Sequence, residues 1–429
     1  MNRFKYITPT FVVLLASALL AVGQKVELSR TSGIELAFKN NRELAIAKLA
    51  IARAKANARR AGRLDNPVLE LNYNDDWIGL DDGEGVFEAA FAQRFPITSR
   101  LKNEKRLRAQ QVLVAEAEVA ERRRELAGAV DLAVIGLLAT RSLLEQRRAL
   151  LALNEKIVTF LDEQVVGGRV SKLDANQARL TGRSLKQRII ALEAQELAEA
   201  AKVKKLIGLA PETQIGLAGG LQLPESRPEI GTAAENIYRQ RPDLVLALEK
   251  IEEADAAVDL ASAERWEDVS VRVFGERERS VDEPEGFERN SFLGIGVSIP
   301  LPFRQRNQAQ IEKANLDRLG AEKKMEAKRF QIRSEYEEAF QNRLANWRLA
   351  REASGDVLAL ADENFEEYEK AYRAGQASIL QVQRAQEQQI ELQTTALEAI
   401  AAYYRAEAQL RFVTGSYPSL IQSETDNLK

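Results

Sequence analysis

The side chains most used in catalysis and metal binding are missing from this sequence. Histidine and cysteine counts are both zero. Histidine is the side chain that titrates near neutral pH, and cysteine supplies thiolate nucleophiles, disulfides and soft metal ligands. Carboxylates alone could serve a hydrolase, but here they lie on repeating helical faces with no pattern that indicates a cleft. The sequence therefore predicts no enzyme and no catalytic, cofactor-binding or metal-binding residues.

Two weaker patterns could still indicate a ligand. The pairs Asp75/Asp76 and Asp81/Asp82 could bind calcium or magnesium, but they stand in a polar segment typical of a solvated loop. The run Gly294-Ile295-Gly296 resembles part of a dinucleotide-binding loop, yet it lies inside a strand pattern that ends at a proline. Neither pattern changes the prediction that the chain binds no cofactor.

The charge balance bears on the class of partner. Sixty-one Lys and Arg residues stand against 64 Asp and Glu residues, for a net charge of -3. Nucleic-acid binding needs a positive field that can neutralise phosphates. The composition therefore predicts that nucleic acid is not a partner.

The N-terminal segment has the pattern of a secretory signal peptide. Arg3 and Lys5 precede an apolar run that ends at Val22, and small residues lie where a signal peptidase cleaves. We predict cleavage after Gly23. The run is about a dozen residues long, and we expect no later stretch to reach the roughly 20 apolar residues that a transmembrane helix needs. The mature chain is therefore expected to lack one.

An internal repeat organises the rest of the chain. Similar segments follow in the same order, and the matched pairs are 41–44 with 241–244, 95–97 with 299–301, and 168–173 with 375–380. The predicted parts are a signal peptide (1–23), a first repeat (24–207), an irregular equatorial linker (208–232), a second repeat (233–415) and a C-terminal tail (416–429).

Each repeat begins with an Ala-rich helix and continues with a β-hairpin. Period-2 alternation predicts strands near 67–74, 86–95, 268–274 and 291–299. The hairpins span about 66–96 and about 267–300. The segments between their strands, 74–85 and 276–290, are highly charged and are expected to be long polar loops.

Long helices follow each hairpin. Proline-free runs extend from about Ser99 to Val166 and from about Arg304 to Ala374, with apolar residues every seventh position as in coiled coils. Such helices would be roughly 100 Å long. Shorter helices, 173–207 and 380–413, are predicted to return. The fold is therefore expected to be mainly α, with a small β part: duplicated coiled-coil hairpins plus two β-hairpins.

The strands indicate an outer membrane. Strands of about ten residues fit the span of a tilted transmembrane β-strand, and Trp77 and Phe87 could belong to an aromatic girdle at its interface. Four strands cannot close, and open edges are not tolerated in lipid because each unpaired amide costs several kcal/mol there. Three copies would supply a closed barrel of about twelve strands, within the known range. The edges therefore predict a homotrimer in contact with outer-membrane lipid.

The repeated halves, the segment Arg241-Pro242-Asp243-Leu244 and the Gly-x-x-Ser-x-Leu turns at 168 and 375 resemble the TolC-like outer-membrane efflux proteins. The resemblance extends from about Ser32 to Gly415 and is greatest to the heavy-metal-type branch. It implies a trimeric channel with a twelve-stranded barrel and a periplasmic α-helical barrel. It also implies a periplasmic adaptor (membrane fusion) protein and an inner-membrane transporter, expected to be proton-driven, as partners.

The resemblance also implies a role for the two helical turns, 167–174 and 374–381. In the family these turns form the periplasmic constriction and meet the adaptor. The residues expected to form the tip and contact the adaptor are Gly168, Arg169, Ser171, Leu173, Gly375, Ser378 and Leu380. The candidate residues lining the constriction are Asp174, Gln381 and Arg384. Some relatives carry acidic residues at the last two positions, so only Asp174 is expected to place negative charge there.

Other functions fit part of the pattern. A periplasmic coiled-coil scaffold would explain the heptads but not the duplicated hairpins. An outer-membrane duct of a protein secretion system would have the same architecture with different partners. Sequence does not identify the cargo, because in such systems the energised partner selects it.

Overall fold

The structure is a computed structural model that describes residues 25–75, 84–168, 170–228, 241–282 and 286–417. Several predicted features lie outside the described residues. They are the signal peptide, Arg169, the acidic residues Asp76, Asp81 and Asp82, the end of the equatorial linker, and most of the C-terminal tail.

The described residues form a mainly helical fold with a small β part. The helices are α1 (Arg30–Asn40), α2 (Arg42–Arg60), α3 (Arg100–Val166), α4 (Lys172–Ile207), α5 (Pro242–Ala263), α6 (Gln308–Ala353), α7 (Asp356–Arg373) and α8 (Ile379–Thr414). The strands are β1 (Lys25–Leu28), β2 (Val68–Asp75), β3 (Gly85–Phe95), β4 (Gln214–Leu217), β5 (Val269–Asp282) and β6 (Gly286–Ser298). The predicted fold class is confirmed in this respect.

The chain divides into two compact units. The sheet unit consists of Ile46–Glu121 and Pro242–Phe330 and carries the antiparallel sheet β2-β3-β5-β6. The helical unit consists of the described residues up to Ala45, those within Arg122–Arg241, and those from Gln331 onward. Helices α2, α3 and α6 contribute residues to both units.

The helical unit is built around the heptad positions of α3. Val130, Leu137 and Leu144 are buried, as their seven-residue spacing predicts. Val130 and Leu137 belong to a core with residues of α1, α4 and the N-terminal strand, including Leu28 and Ile207. Elements that are far apart in sequence thus pack against one continuous apolar seam on α3.

A buried ionic cluster lies in the same unit. The Arg30 guanidinium donates to both carboxylate oxygens of Asp131, at 2.6 and 2.9 Å, and to Glu407 at 2.9 Å. Burial would lower the pKa of Arg30, but the hydrogen bonds and charges of Asp131 and Glu407 outweigh it and raise this pKa. Burial, with the Asp131 charge adding to it, raises the pKa of Tyr417. The cluster ties α1, α3 and α8 together.

A small parallel sheet lies where the sequence predicts an irregular linker. Strand β1 pairs with β4, and the register runs from Lys25 opposite Gln214 to Leu28 opposite Leu217. Prolines and glycines surround β4, which is why the stretch resembles a linker. A four-residue strand is too short to show a periodicity, so only the pairing with β1 reveals it.

The second long helix is interrupted, contrary to the prediction of one helix from Arg304 to Ala374. Helix α6 ends at Ala353 and α7 begins at Asp356. Ser354 and Gly355 lie between them, and the Ser354 hydroxyl donates to the Ala350 carbonyl at 2.6 Å. Gly/Ser pairs are typical sites of helix kinks because the hydroxyl competes for backbone acceptors and glycine is flexible.

The second hairpin has longer strands than predicted. Strands β5 and β6 continue into the charged segment 276–290, so the prediction of a long loop there is wrong. Their pairing extends to Asp282 opposite Gly286. Charge does not prevent strand formation where the backbone is paired across the hairpin and the side chains can reach water.

Helix α3 also contradicts the prediction that no further stretch is apolar enough to cross a membrane. One 18-residue window of α3 meets that criterion by length and composition. However, 61% of the window is buried inside the protein. Packing within the helical unit accounts for its apolar character, as in the core helix of a soluble domain.

Candidate functional site: one sheet face and two helical tips

The four-stranded sheet separates its side chains by residue number. The register places Leu69, Phe91, Val273 and Ile295 in one row across all four strands. Because side chains alternate between the faces of a strand, every odd-numbered strand residue lies on one face and every even-numbered residue on the other. We call these the odd face and the even face.

The odd face is apolar and uncovered within the described chain. Its exposed large side chains are Leu69, Leu71, Tyr73, Phe87, Phe91, Phe95, Val273, Leu293, Ile295 and Val297. Leu293 keeps 85% of its surface accessible. A contiguous apolar surface of this kind is not stable in water and marks contact with lipid or protein. Tyr73 and Phe87 lie in one row near the end of the odd face that is farther from Phe95. This position suits the aromatic girdle predicted for Phe87. Trp77, the other predicted member of the girdle, lies outside the described residues.

The even face is charged and internally paired. The Arg272 guanidinium contacts Glu88 and Glu70, the latter at 3.3 Å, and Asn72 donates to Glu88 at 3.0 Å. These residues come from three adjacent strands. The even face also carries Glu276, Glu278, Glu288 and Arg94. A face of this composition is suited to contact with water, whereas the odd face is suited to contact with lipid or protein.

Glycine on the even face makes room for an aromatic ring. Gly294 lies directly opposite Phe274, and a Cβ atom built on Gly294 would overlap the Phe274 ring. A Cβ on Gly296 would meet its nearest neighbour, Cβ of Arg272, at 3.9 Å. The alternation of glycines noted in the sequence therefore has a packing reason at Gly294 and none at Gly296.

We expect Gly294→Ala to destabilise the assembled sheet by about 1–3 kcal/mol, because overpacking forces the Phe274 ring or the backbone to move. Gly296→Ala is the matched control and should cost less, since its added methyl group meets no neighbour closer than 3.9 Å. The urea midpoint of each variant in detergent measures the difference. Equal midpoints for the two variants would contradict this packing argument.

The first helical tip is formed by the turn between α3 and α4. Gly168 has a φ of 70°, and a Cβ there would meet nothing within 4 Å. Glycine is therefore required by the left-handed backbone rather than by packing. The Ser171 hydroxyl caps α4 by accepting the Leu173 N–H at 3.1 Å. Leu173 itself projects outward, with 78% of its surface exposed.

The second tip repeats this geometry. Gly375 has a φ of 72°, and the Ser378 hydroxyl caps α8 by accepting the Gln381 N–H at 3.4 Å. The Gln381 side chain returns to accept the Ser378 N–H at 2.7 Å, which completes a capping box. Leu380 is 52% exposed. The Gly-x-x-Ser-x-Leu pattern thus encodes a helix stop, a turn, a new helix start and an exposed leucine.

The two tips pack against each other. Their shared core contains residues of α3, α4, α7 and α8, namely Leu161, Ala175, Ala178, Phe365, Ile379, Val382 and Ala385. Phe160 and Tyr372 meet edge to face with ring centroids 6.0 Å apart. Burial, with the charge of Asp174 adding to it, raises the pKa of Tyr372. The structure therefore brings Asp174, at the start of α4, close to Tyr372 at the end of α7.

The three candidate constriction residues differ in their surroundings. Asp174 is half-buried in the first turn of α4, while Gln381 and Arg384 are exposed on the first turns of α8. The Gln381 side chain accepts the Ser378 N–H in the capping box at the start of α8. The side chain of Arg384 forms no hydrogen bond or ion pair with any residue that the structure describes. Their lining of a constriction stays a prediction.

A polar seam along α8, facing α7 and α3, is not evident from the sequence. Gln386 and Gln389 of α8 are buried, and Gln389 donates to Asp362 at 2.7 Å. Further along, Arg147 is buried and donates to the Thr394 hydroxyl at 2.6 Å, while burial and the nearby Arg188 lower its pKa. Glutamine at heptad positions of a helix with exposed neighbours gives no sign of burial, so no local signal could reveal this seam.

The motif Arg241-Pro242-Asp243-Leu244 has a packing role at its first residue. Arg241 is almost fully buried and donates to Glu335 at 2.9 Å and to the Val413 carbonyl at 3.1 Å. The second contact satisfies a carbonyl at the C-terminal end of α8, where helices leave such groups unpaired. The motif thus stabilises a junction of the helical unit.

Three solved structures with the same fold are described as channels or as an outer membrane protein. CusC, described in terms of folding and transmembrane channel formation, superposes with a TM-score of 0.73 at 19% identity over 92% of this chain and 95% of its own. The outer membrane protein VceC of Vibrio cholerae gives 0.69 at 17% identity, covering 90% and 96%. The MtrE outer membrane channel of Neisseria gonorrhoeae, in its open state, gives 0.72 at 15% identity, covering 90% and 88%.

The second repeat carries the sequence pattern of a known family. No functionally curated protein matches the chain. The pattern of the outer membrane efflux protein family, however, matches residues 234–416. This stretch includes β5 and β6, the second tip and the whole of α8. Residues 234–416 therefore carry the sequence pattern of the outer membrane efflux protein family.

Proposed function

We propose that this chain is the outer-membrane channel subunit of a tripartite efflux system. It would conduct substrate passively from an inner-membrane pump and a periplasmic adaptor to the exterior. The observation that carries the proposal is the division of the sheet into an apolar odd face and a charged even face. Lipid would contact the apolar odd face, and an aqueous lumen would solvate the charged even face.

The sheet edges support a homotrimer. Strands β2 and β6 are the edges of the sheet, and neither has an outer partner in the described chain. In a bilayer those unpaired amides must be satisfied by other copies. Three chains would close a twelve-stranded barrel, which agrees with the predicted assembly.

Helix α4 supports contacts between copies outside the membrane. Leu173, Leu180, Ile190 and Leu197 are exposed. Their spacings of seven, ten and seven residues place two of them at a positions and two at d positions of one heptad seam. In a single chain this seam has no partner helix among the described residues. A neighbouring copy would cover it and complete a periplasmic α-helical barrel.

The partners are inferred from the family resemblance. The tips would meet the adaptor through Gly168, Arg169, Ser171, Leu173, Gly375, Ser378 and Leu380, and the transporter is expected to be proton-driven. Two exposed leucines beside a rigid capped turn suit docking against an apolar partner surface. Membership of the heavy-metal-type branch stays a prediction, as does the transported substrate. A duct for protein secretion is the alternative with the same architecture.

Membrane fractionation followed by mild-detergent extraction and mass determination tests the assembly. We expect the mature chain in the outer-membrane fraction, with a mass roughly three times that of one chain, as barrel closure requires. A product that remains soluble in the periplasm would contradict the barrel. The coiled-coil scaffold would then become the better interpretation.

Two adjacent residues test which face meets lipid. We expect Leu293→Arg, on the odd face, to lower the amount of assembled trimer, since arginine at the bilayer midplane costs about 2–4 kcal/mol in such barrels. Phe292→Arg is the matched control, because it makes the same change on the even face opposite Glu276. Heat-modifiable trimer on gels measures both variants. Equal yields would contradict the assignment of the odd face to lipid.

A further inference from the structure

We propose that the outer end of the odd face binds the phosphate groups of the glycolipid that forms the outer leaflet. The proposal rests on the proposed function, because it takes the odd face to be the lipid-facing surface. The site consists of Arg277 and Arg279 on β5 and Arg289 on β6. All three side chains are exposed.

The register brings the three arginines together. Arg279 lies directly opposite Arg289, and Arg277 lies two residues from Arg279 on the same strand and the same face. Like charges placed opposite each other on neighbouring strands destabilise a sheet. An arrangement of this kind is compensated when an anion lies between the guanidinium groups. Arginine is the side chain best suited to phosphate, which it can bind with two parallel hydrogen bonds.

Among the described strand residues, the charge on this part of the odd face is not balanced. Asp75 is the only acidic residue on the odd face of the described strands, and it also accepts the Tyr73 hydroxyl at 2.6 Å. On the odd face of the described strands, one carboxylate therefore stands against three guanidinium groups. Arg277 and Arg289 form no side-chain hydrogen bond or ion pair with any residue that the structure describes. Even if Asp75 of a neighbouring copy reached Arg289, positive charge would remain.

The position of the arginines fits the height of a head group. The apolar rows of the odd face begin at Val269 and Phe95, and Arg279 lies ten residues further along β5. At about 3.4 Å per residue and a tilt of 35–45°, ten residues rise about 24–28 Å. The apolar band of such barrels is about 25 Å tall. Arg279 and Arg289 thus lie where hydrocarbon ends, one odd-face row beyond Tyr73 and Phe87, and Arg277 lies in the same row as this aromatic pair.

The hairpin end that carries the arginines is the outer one under the proposed function. The outer leaflet of such a membrane consists of glycolipid that carries phosphate on its sugar head group. Basic clusters next to a membrane-spanning segment recognise anionic head groups in the same way elsewhere. The chemistry and the height of the site therefore point to one occupant.

Purified trimer in detergent, titrated with bis-phosphorylated lipid A and with its dephosphorylated counterpart, tests the proposal by native mass spectrometry. We expect the wild-type trimer to prefer the phosphorylated lipid by about tenfold or more, and Arg277→Gln/Arg289→Gln to lose that preference. Arg277→Lys/Arg289→Lys should keep part of it, because lysine retains the charge. Arg94→Gln is the matched control, since it removes an arginine of the even face.

Each other outcome contradicts the proposal. Equal binding of the two lipids by wild type, or unchanged preference in the double glutamine variant, would overturn it. Displacement of the lipid by inorganic phosphate alone would show an anion site that is not a lipid site, which also overturns it. If the double variant forms no trimer, Arg289→Gln alone replaces it. An outer-membrane trimer without lipid preference overturns only this inference, whereas a soluble chain overturns the proposed function and this inference with it.

Discussion

Asp131→Ala is expected to destabilise the helical unit by about 3–5 kcal/mol, because it leaves the buried Arg30 guanidinium without its bidentate partner. Asp131 is fully buried, and the Arg30 side chain is only 17% exposed. Breaking one partner of such a pair costs far more than the pair itself contributes, since the remaining charge stays out of water. Urea unfolding of the purified protein, followed by tryptophan fluorescence, measures the loss.

Two comparisons make this expectation specific. Arg122 and Glu125 form an exposed pair at 2.9 Å on the same helix, so Glu125→Ala should cost less than about 1 kcal/mol. The double variant Arg30→Met/Asp131→Leu should be less destabilised than the sum of its single changes, because it removes both charges, and Glu407 retains Arg411 at 3.2 Å. A cost below about 1 kcal/mol for Asp131→Ala would refute the assigned role of this cluster.

Charge reversal at the tips is expected to change conduction through the assembled channel. If three copies converge there, Asp174→Lys should lower the preference for cations and Arg384→Glu should raise it. Each unit charge near a narrow aqueous passage changes an ion's energy by on the order of 1 kcal/mol, which corresponds to a several-fold effect. Single-channel recording in planar bilayers, with unequal salt on the two sides, measures both conductance and selectivity.

The control for the tip variants is a charge reversal far from the tips. Arg122→Glu changes an exposed side chain of α3 and should leave conductance and selectivity unchanged. Unchanged conductance and selectivity in both tip variants would remove Asp174 and Arg384 from the constriction. A change confined to Asp174→Lys would assign the charge near the gate to the first turn alone.

Elements that depend on local chemistry can be predicted from the order of the residues alone. Proline-free heptads predict α3 almost to the residue, because a buried stripe every seventh position leaves few alternatives. Gly168 and Gly375, each followed by serine at the third position, predict the helical turns, since a left-handed residue and a capping hydroxyl are local requirements. The lack of histidine and cysteine in the sequence likewise restricts the chemistry that the chain can perform.

Features that depend on distant partners emerge only when the chain folds. The pairing of β1 with β4 and the burial of Gln386 leave no local pattern. The extension of β5 through charged residues depends on pairing with β6, which outweighs the polarity that suggests a loop. The cross-strand register brings Arg279 and Arg289 together on one face, and the alternation of side chains makes that face the apolar one. Contacts of this kind depend on which residues pair or pack across elements, so packing and strand pairing fix them rather than local propensity.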